Sequence, residues 1–230
     1  MHSHLRTCTA LALAASLAGS CRLAASPNSP TDLYQRVSAS AVTITTHTGS
    51  GSGTVILSGR AGSLILTAQH VVEAEGRLVE IGVPYLRSGH EGATKSRARV
   101  LLVDRDRDLA LVRSDEPLAA PALPVAAAEP DLYEEIYMVA APLGLAGTAT
   151  PGLVTAKLER EGTALWEVTG LTLFGSSGGT VANARGELVA VPVLVSSWNG
   201  LPISQIGFAV PLASIHTFLD RAVAAGALDL

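Results

Sequence analysis

The sequence predicts an all-β protein made of two consecutive sets of about six short strands and closed by one C-terminal helix. Three observations predict it. The apolar period is two through most of the chain, helical spacing appears only toward the two ends, and a Pro/Ala-rich stretch divides the strand runs into halves. Of the 230 residues, 48% are hydrophobic and 16% charged, which supplies apolar material for one large domain or two subdomains sharing a core.

The first 20 residues read as a signal peptide. Arg6 precedes the apolar run Leu11 to Gly19 (LALAASLAG), which is far shorter than the roughly 20 residues that a bilayer-spanning helix needs. Leu17-Ala18-Gly19-Ser20-Cys21 resembles the lipobox of bacterial lipoproteins, with Cys21 as the lipidated residue and a membrane anchor. That box prefers Leu where Ala18 stands, so the competing reading is ordinary cleavage near Ala24 or Ala25 with Cys21 discarded. Either way Cys8 is lost with the signal and no cysteine pair is left for a disulfide. Residues 21–32, with Ser26 to Pro30 (SPNSP), read as a tether.

Without residues 1–20 the chain holds 15 basic and 20 acidic side chains, a net charge of −5, and no Lys/Arg run. It therefore offers no electrostatic footprint for nucleic acid.

Leu33 to Val37 has helical spacing and begins a folded part that spans 33–225. Strands follow at Ala41–Thr46, Gly53–Ser58, Ser63–Thr67, Leu78–Val83, Arg97–Val103 and Leu109–Arg113, rich in β-branched residues and separated by Gly, Ser or Asp turns. Residues 33–113 form the first half. Residues 114–131 carry Pro117, Pro121, Pro124 and Pro130 and read as a connector lying over the surface. The second half, 132–210, has strands at Ile136–Ala140, Leu153–Leu158, Ala164–Val168, Thr180–Ala182, Leu188–Val195 and Ile206–Val210. Pro192 within one of them predicts an edge or a bulge. Pro211 to Ala225 places Leu212, Ile215, Phe218, Leu219 and Val223 on one helical face, with Pro211 at the start. Strand count does not choose between two barrels and two sandwiches.

Three segments carry chemistry. In Phe174-Gly175-Ser176-Ser177-Gly178-Gly179-Thr180 a serine sits among glycines, which suits acyl transfer because an oxyanion needs convergent backbone N–H donors and unobstructed approach. Gly175, Ser176 and Ser177 are the candidate oxyanion turn, with Gly175 and Ser177 as donors. A Gly/Ser hairpin turn is the bland alternative. In Leu66-Thr67-Ala68-Gln69-His70-Val71-Val72 a hydrophobic strand stops at a histidine, the base that a serine hydroxyl requires. In Asp104-Arg105-Asp106-Arg107-Asp108-Leu109 the last carboxylate borders an apolar strand and suits the orienting role, while Asp104 and Asp106 read as a solvated turn salt-bridged to Arg105 and Arg107. The order His70, Asp108, Ser177 is that of the chymotrypsin architecture.

These segments resemble the trypsin-like serine peptidases, and among them the bacterial HtrA (Deg) group. Gly51-Ser52-Gly53-Thr54-Val55-Ile56, Ile65 to Val72, Asp108-Leu109-Ala110-Leu111, Ala141 to Leu145 followed by Gly152 to Ala156, Gly175 to Gly179, and Ile206 to Pro211 are similar to that group's motifs in the same order. The resemblance covers about residues 33 to 220. It implies two six-stranded antiparallel β-barrels, catalytic residues His70, Asp108 and Ser177, a protein or peptide substrate, an exported or periplasmic location, and the homo-trimer common among such proteins. Ser176 replaces the usual Asn or Asp and Phe174 the usual Pro, so other contacts are expected to hold the oxyanion turn. Nothing after the helix corresponds to a PDZ domain. Leu171 stands where a Lys/Arg-selective enzyme has an acid, and the strand after Ser177 lacks the histidine of Glu-selective relatives. An uncharged pocket for small or medium aliphatic residues is expected, lined by Leu171, Val195, Ser196, Ser197 and Gly207.

Two rival functions remain to be weighed. Gly175 to Gly179 also fits the G-x-S-x-G elbow of α/β-hydrolases, but only Asp220 and His216 follow it, in reversed order on one helix. A catalytically inactive, peptide-binding relative is the other. No cofactor or metal is expected: His2 and His4 lie in the signal, and His47, His70, His90 and His216 lack ligand spacing. His47 and His90 are expected in exposed loops or at strand ends, His216 on the helix surface, and Trp166 and Trp198 in packing or rim positions.

Overall fold

The computed structural model describes residues 29–84, 93–141, 147–160, 162–170, 172–198 and 201–228. The signal, Cys21, His90 and Leu171 lie outside the described residues, as do the side chains of Val195, Ser196, Ser197 and Trp198.

Helix α1 spans Pro30–Ala39. Ser29 caps it, its hydroxyl accepting from the Asp32 N–H at 3.2 Å, and Pro30 occupies the first turn, where a missing N–H costs nothing. The last residues assigned to the tether thus start a helix, which buries Leu33 and Val37.

The first barrel contains β1 (Ala41–Thr45), β2 (Ser50–Gly59), β3 (Gly62–Thr67), β4 (Leu78–Pro84), β5 (Ala93–Asp104) and β6 (Leu109–Ser114), with the one-turn helix α2 (Gln69–Val72) after β3. The second contains β7 (Glu135–Ala140), β8 (Thr148–Arg160), β9 (Thr163–Thr169), β10 (Thr180–Ala182), β11 (Leu188–Trp198) and β12 (Leu201–Pro211), followed by α3 (Leu212–Ala224). Each sheet closes in the same order, β1-β2-β3-β6-β5-β4 and β7-β8-β9-β12-β11-β10, and every pairing is antiparallel. Closure removes the exposed edges that sandwiches retain.

Register shifts show how the sheets curl. One residue is left unpaired at Ile56 in β2, Leu101 in β5, Thr155 in β8 and Val193 in β11, the same two hairpins in each barrel. Such bulges bend a strand and increase its twist. The last adjoins Pro192, in agreement with the bulge its missing N–H predicts.

The first core packs Ile44, Ile65, Leu66, Ile81, Leu109 and Leu111 and runs on into Val139, Leu188 and Phe218, so both barrels share it; the second packs Ile136, Met138, Val154, Trp166 and Val168. Two expectations change here. The connector crosses between the barrels, but Ala120, Leu123 and Ala126 are buried, and Leu123 N–H donates to the Val55 carbonyl at 2.8 Å while Ala126 and Leu188 pair. On α3 the buried stripe is Leu212, Ile215, Phe218 and Ala222; Val223, one step of 100° beyond Ala222, is exposed.

Candidate active site

His70 lies on α2, where β3 stops, and Asp108 lies in the turn between β5 and β6. Asp108 adopts a left-handed conformation (φ +53°), which a short polar side chain tolerates. This turn aims its carboxylate at α2. Oδ1 accepts the His70 backbone N–H at 2.9 Å, Oδ2 sits 2.7 Å from His70 Nδ1, and the Asp108 carbonyl accepts from Gln69 N–H at 3.2 Å. With a proton on Nδ1, the other ring nitrogen, Nε2, is a free acceptor.

Ser177 reaches the same place from the second barrel. Its loop is seated against the first barrel by Ser52 of β2, whose N–H donates to the Ser177 carbonyl at 2.8 Å. Gly178, at φ +80°, packs against Thr67 Oγ1, the Ser52 carbonyl and Ala68 N, leaving no room for a Cβ, and so brings the serine loop two residues from His70. Among the described residues no hydrogen bond joins Ser177 to His70; the Ser177 hydroxyl donates to the Val193 carbonyl at 3.5 Å, a long contact. The bulge at Val193 frees that carbonyl from the ladder.

Leu173 to Ser176 form a turn closed by Ser176 N–H donating to the Leu173 carbonyl at 2.9 Å, with Gly175 at φ +92° in its third position. A positive φ there defines a type II turn and calls for glycine; a type I turn would reverse the Phe174–Gly175 peptide. Among the described residues neither Gly175 N–H nor Ser177 N–H is engaged in a hydrogen bond. Phe174 fills the second position, where type II turns favour proline, and the residue is 71% exposed. Ser176 is buried and its Oγ accepts from Leu173 N–H at 3.2 Å.

In the sequence Ser52 stands out only as part of Gly51-Ser52-Gly53-Thr54-Val55-Ile56, with no role of its own. It is fully buried, its Oγ donates to the Gly175 carbonyl at 2.7 Å and accepts from Ala141 N–H at 2.8 Å, and its carbonyl accepts from Thr67 Oγ1 at 2.7 Å. A side chain committed in two directions, with its backbone held as well, leaves only one sequence signal, its place between two glycines.

Of the expected pocket residues, Gly207 is buried opposite Val195 in the β11–β12 pairing, and the Thr172 side chain presses on the space a Cβ would take. Thr172, unnoticed in sequence, is itself buried. Two other expectations shift. Asp104 is buried at 4% exposure rather than solvated; it accepts from the Arg107 N–H and from the Arg107 and Arg221 guanidiniums at 3.0 and 3.3 Å, whereas Arg105 donates to the Glu73 carbonyl at 3.4 Å. His216 is half-buried, Nε2 lying 2.9 Å from the Ala126 carbonyl of the connector. His47 is exposed beside Arg77, and Trp166 is buried.

Two six-stranded barrels with a histidine–aspartate pair and a serine turn meeting between them define a chymotrypsin-like architecture. The chain belongs to the trypsin-like peptidase family, whose domain model matches residues 51–191. It is 31% identical over 183 residues to the serine protease HTRA1B of Danio rerio, covering 74% of this chain and 34% of that protein. It is 28% identical over 185 residues to the periplasmic pH-dependent serine endoprotease DegQ of Escherichia coli strain K12, covering 76% and 37%. The chain thus spans about a third of the length of these HtrA-type relatives. The fold is similar to that of the HtrA-type protease AlgW solved with a tripeptide, with a TM-score of 0.71 at 20% identity over 86% of this chain and 64% of that one. Among the described residues no helix is long and apolar enough to cross a membrane.

Proposed function

We propose that the protein is a serine endopeptidase that hydrolyses peptide bonds through an acyl-enzyme. The observation that carries the proposal is the double grip of Asp108 on His70, through the backbone N–H at 2.9 Å and Nδ1 at 2.7 Å, which leaves Nε2 as a base on the face where the Ser177 loop is seated. In this reaction the Ser177 hydroxyl leaves the Val193 carbonyl and takes Nε2 as its acceptor. Its proton passes to Nε2 as Oγ bonds to the substrate carbonyl carbon, and the carbonyl oxygen takes the displaced electron pair. The N–H groups of Gly175 and Ser177 receive that oxyanion. Collapse expels the amine, which takes the proton from Nε2, and a water activated by the same nitrogen releases the acyl group. Asp108 holds the tautomer and stabilises the imidazolium.

The reading extends to an uncharged primary pocket at Leu171, Val195, Ser196, Ser197 and Gly207, for which Thr172 against Gly207 argues small or medium aliphatic side chains. It also includes export by residues 1–20, lipid anchoring at Cys21, action on unfolded or exported proteins in the cell envelope, and assembly as a trimer.

The hydroxyl bonded to Val193 instead of His70 favours a second reading, a peptide binder that does not cleave. Incubation with unfolded casein and a serine-directed phosphonate separates the two. The peptidase labels at Ser177 and cuts casein, and Ser177→Ala lowers the rate about 10⁴- to 10⁶-fold. Intact casein and no label under varied conditions would favour the binder.

A further inference from the structure

A cleft of about 740 Å³ runs beside the candidate triad, lined by Arg105, Arg107 and Asp106 from the β5–β6 turn, by Arg160, Gly162 and Thr163 from the β8–β9 hairpin, and by Asp108, Leu165 and Val193. Two of these, Asp108 and Val193, also contact His70 and Ser177, so the cleft is continuous with the site. Its opposite walls come from different barrels and are clipped together by Thr163 Oγ1 donating to the Asp106 carbonyl at 3.0 Å.

The charges in it are unevenly committed. Arg107 is engaged by Asp104 at 3.0 Å, and the Asp108 carboxylate is turned to His70. Arg105 is exposed and donates only a long bond, 3.4 Å, to a backbone carbonyl. Arg160 is exposed, and its side chain makes no hydrogen bond or ion pair among the described residues. Asp106 is the single acid of the lining without an ion-pair partner among those residues, so two guanidiniums with spare donors flank one carboxylate. Planar guanidinium groups pair with carboxylates through two parallel hydrogen bonds.

We infer that Arg105 and Arg160 select an acidic side chain, Asp or Glu, of the peptide bound in this cleft. An extended chain advances about 3.3 Å per residue, and a long arginine side chain adds its own reach, which puts the selected acid about two to four residues from the scissile bond. The acid is therefore read apart from the primary pocket, which is uncharged. The inference rests on the proposed peptidase reading for the location of the scissile bond, but the binding preference itself does not require cleavage.

The test uses fluorogenic octapeptides in which Glu, Gln or Lys is placed in turn at each position on both sides of a fixed aliphatic residue. Exposed ion pairs are individually weak, so Glu is expected to exceed Gln by about fivefold in kcat/KM at one such position, and less so in high salt. The double variant Arg105→Glu/Arg160→Glu is expected to reverse the order in favour of Lys. In parallel, fluorescence anisotropy on the Ser177→Ala protein reads binding of the Glu and Gln peptides, with the same preference expected. A Glu-to-Gln ratio near one at every position, or one unchanged in the double variant, overturns the inference. Cleavage without a Glu preference sinks it and keeps the peptidase reading; a Glu preference in binding with no cleavage in the wild type does the reverse.

Discussion

Ser52 shows how much of the serine turn depends on a residue of the other barrel. Its Oγ holds the Gly175 carbonyl and its backbone N–H holds the Ser177 carbonyl, so two carbonyls of the serine loop are held by this one residue. Ser52→Ala removes the donor to Gly175 and leaves Ala141 N–H without its acceptor. We expect kcat to fall about 10- to 100-fold, less than deleting an oxyanion donor outright, with KM changed no more than about threefold. Steady-state kinetics on one peptide, with melting temperature as a control, checks this; an equal loss spread over KM would show that Ser52 shapes binding instead. Ser176 and Phe174 are the complementary case. Both depart from the family pattern, yet Ser176 Oγ accepts the Leu173 N–H and Phe174 occupies a turn position that demands no particular side chain, so the type II turn survives both changes.

Among the elements, the turn between β5 and β6 carries the most structural information. Asp104 is buried at its base, where Arg107 from the same turn and Arg221 from α3 converge on it, and Arg221 also donates to the Val103 carbonyl. Asp104→Ala should cost about 1–2 kcal/mol, a modest figure because both guanidiniums keep access to water. Urea denaturation measures that loss. Limited proteolysis should then cut α3 first, and activity should fall too because Asp108 closes the same turn; a variant as stable as the parent would show that the cluster holds nothing. Sequence alone placed Asp104 in solvent because its neighbours, Arg105 and Arg107, are charged. Arg221 lies 117 positions away, and no local pattern announces it. The connector differs for a similar reason: its prolines are correctly non-strand, but Leu123 and Ala126 find carbonyl partners in β2 and at the first residue of β11.

At the scale of the whole molecule, α1 couples the N-terminal side of the fold to the second barrel through Tyr34 and Tyr137, whose rings meet edge-on with centroids 5.2 Å apart. Burial pushes the Tyr137 phenol up to about 12, helped by its hydrogen bond to Glu135 at 2.8 Å and by that carboxylate's charge. Burial, and then Glu135, raises Tyr34 as well. A phenol whose folded value is raised stabilises the fold fully below its unfolded value near 10, and that contribution is lost as pH climbs from about 10 toward 12. Thermal melts between pH 9 and 12 should therefore show stability falling from about pH 10, with a shallower fall in Tyr137→Phe; identical slopes would rule out this phenol as the cause. The Tyr34 hydroxyl is buried without a hydrogen-bond partner among the described residues, so Tyr34→Phe should be neutral or stabilising by up to about 1 kcal/mol.

The sequence by itself determined the two strand series and the terminal helix and singled out His70, Asp108 and Ser177 as candidates, because period-two alternation, glycine-bounded turns and motif order are local properties that survive without knowledge of contacts. Barrel closure, the clamp at Ser52, the burial of Asp104 and of the connector, and the arginine-lined cleft were decided only in three dimensions. Each depends on groups far apart in the chain, 123 positions in the case of Ser52 and Gly175, that meet only after two separately patterned barrels have packed.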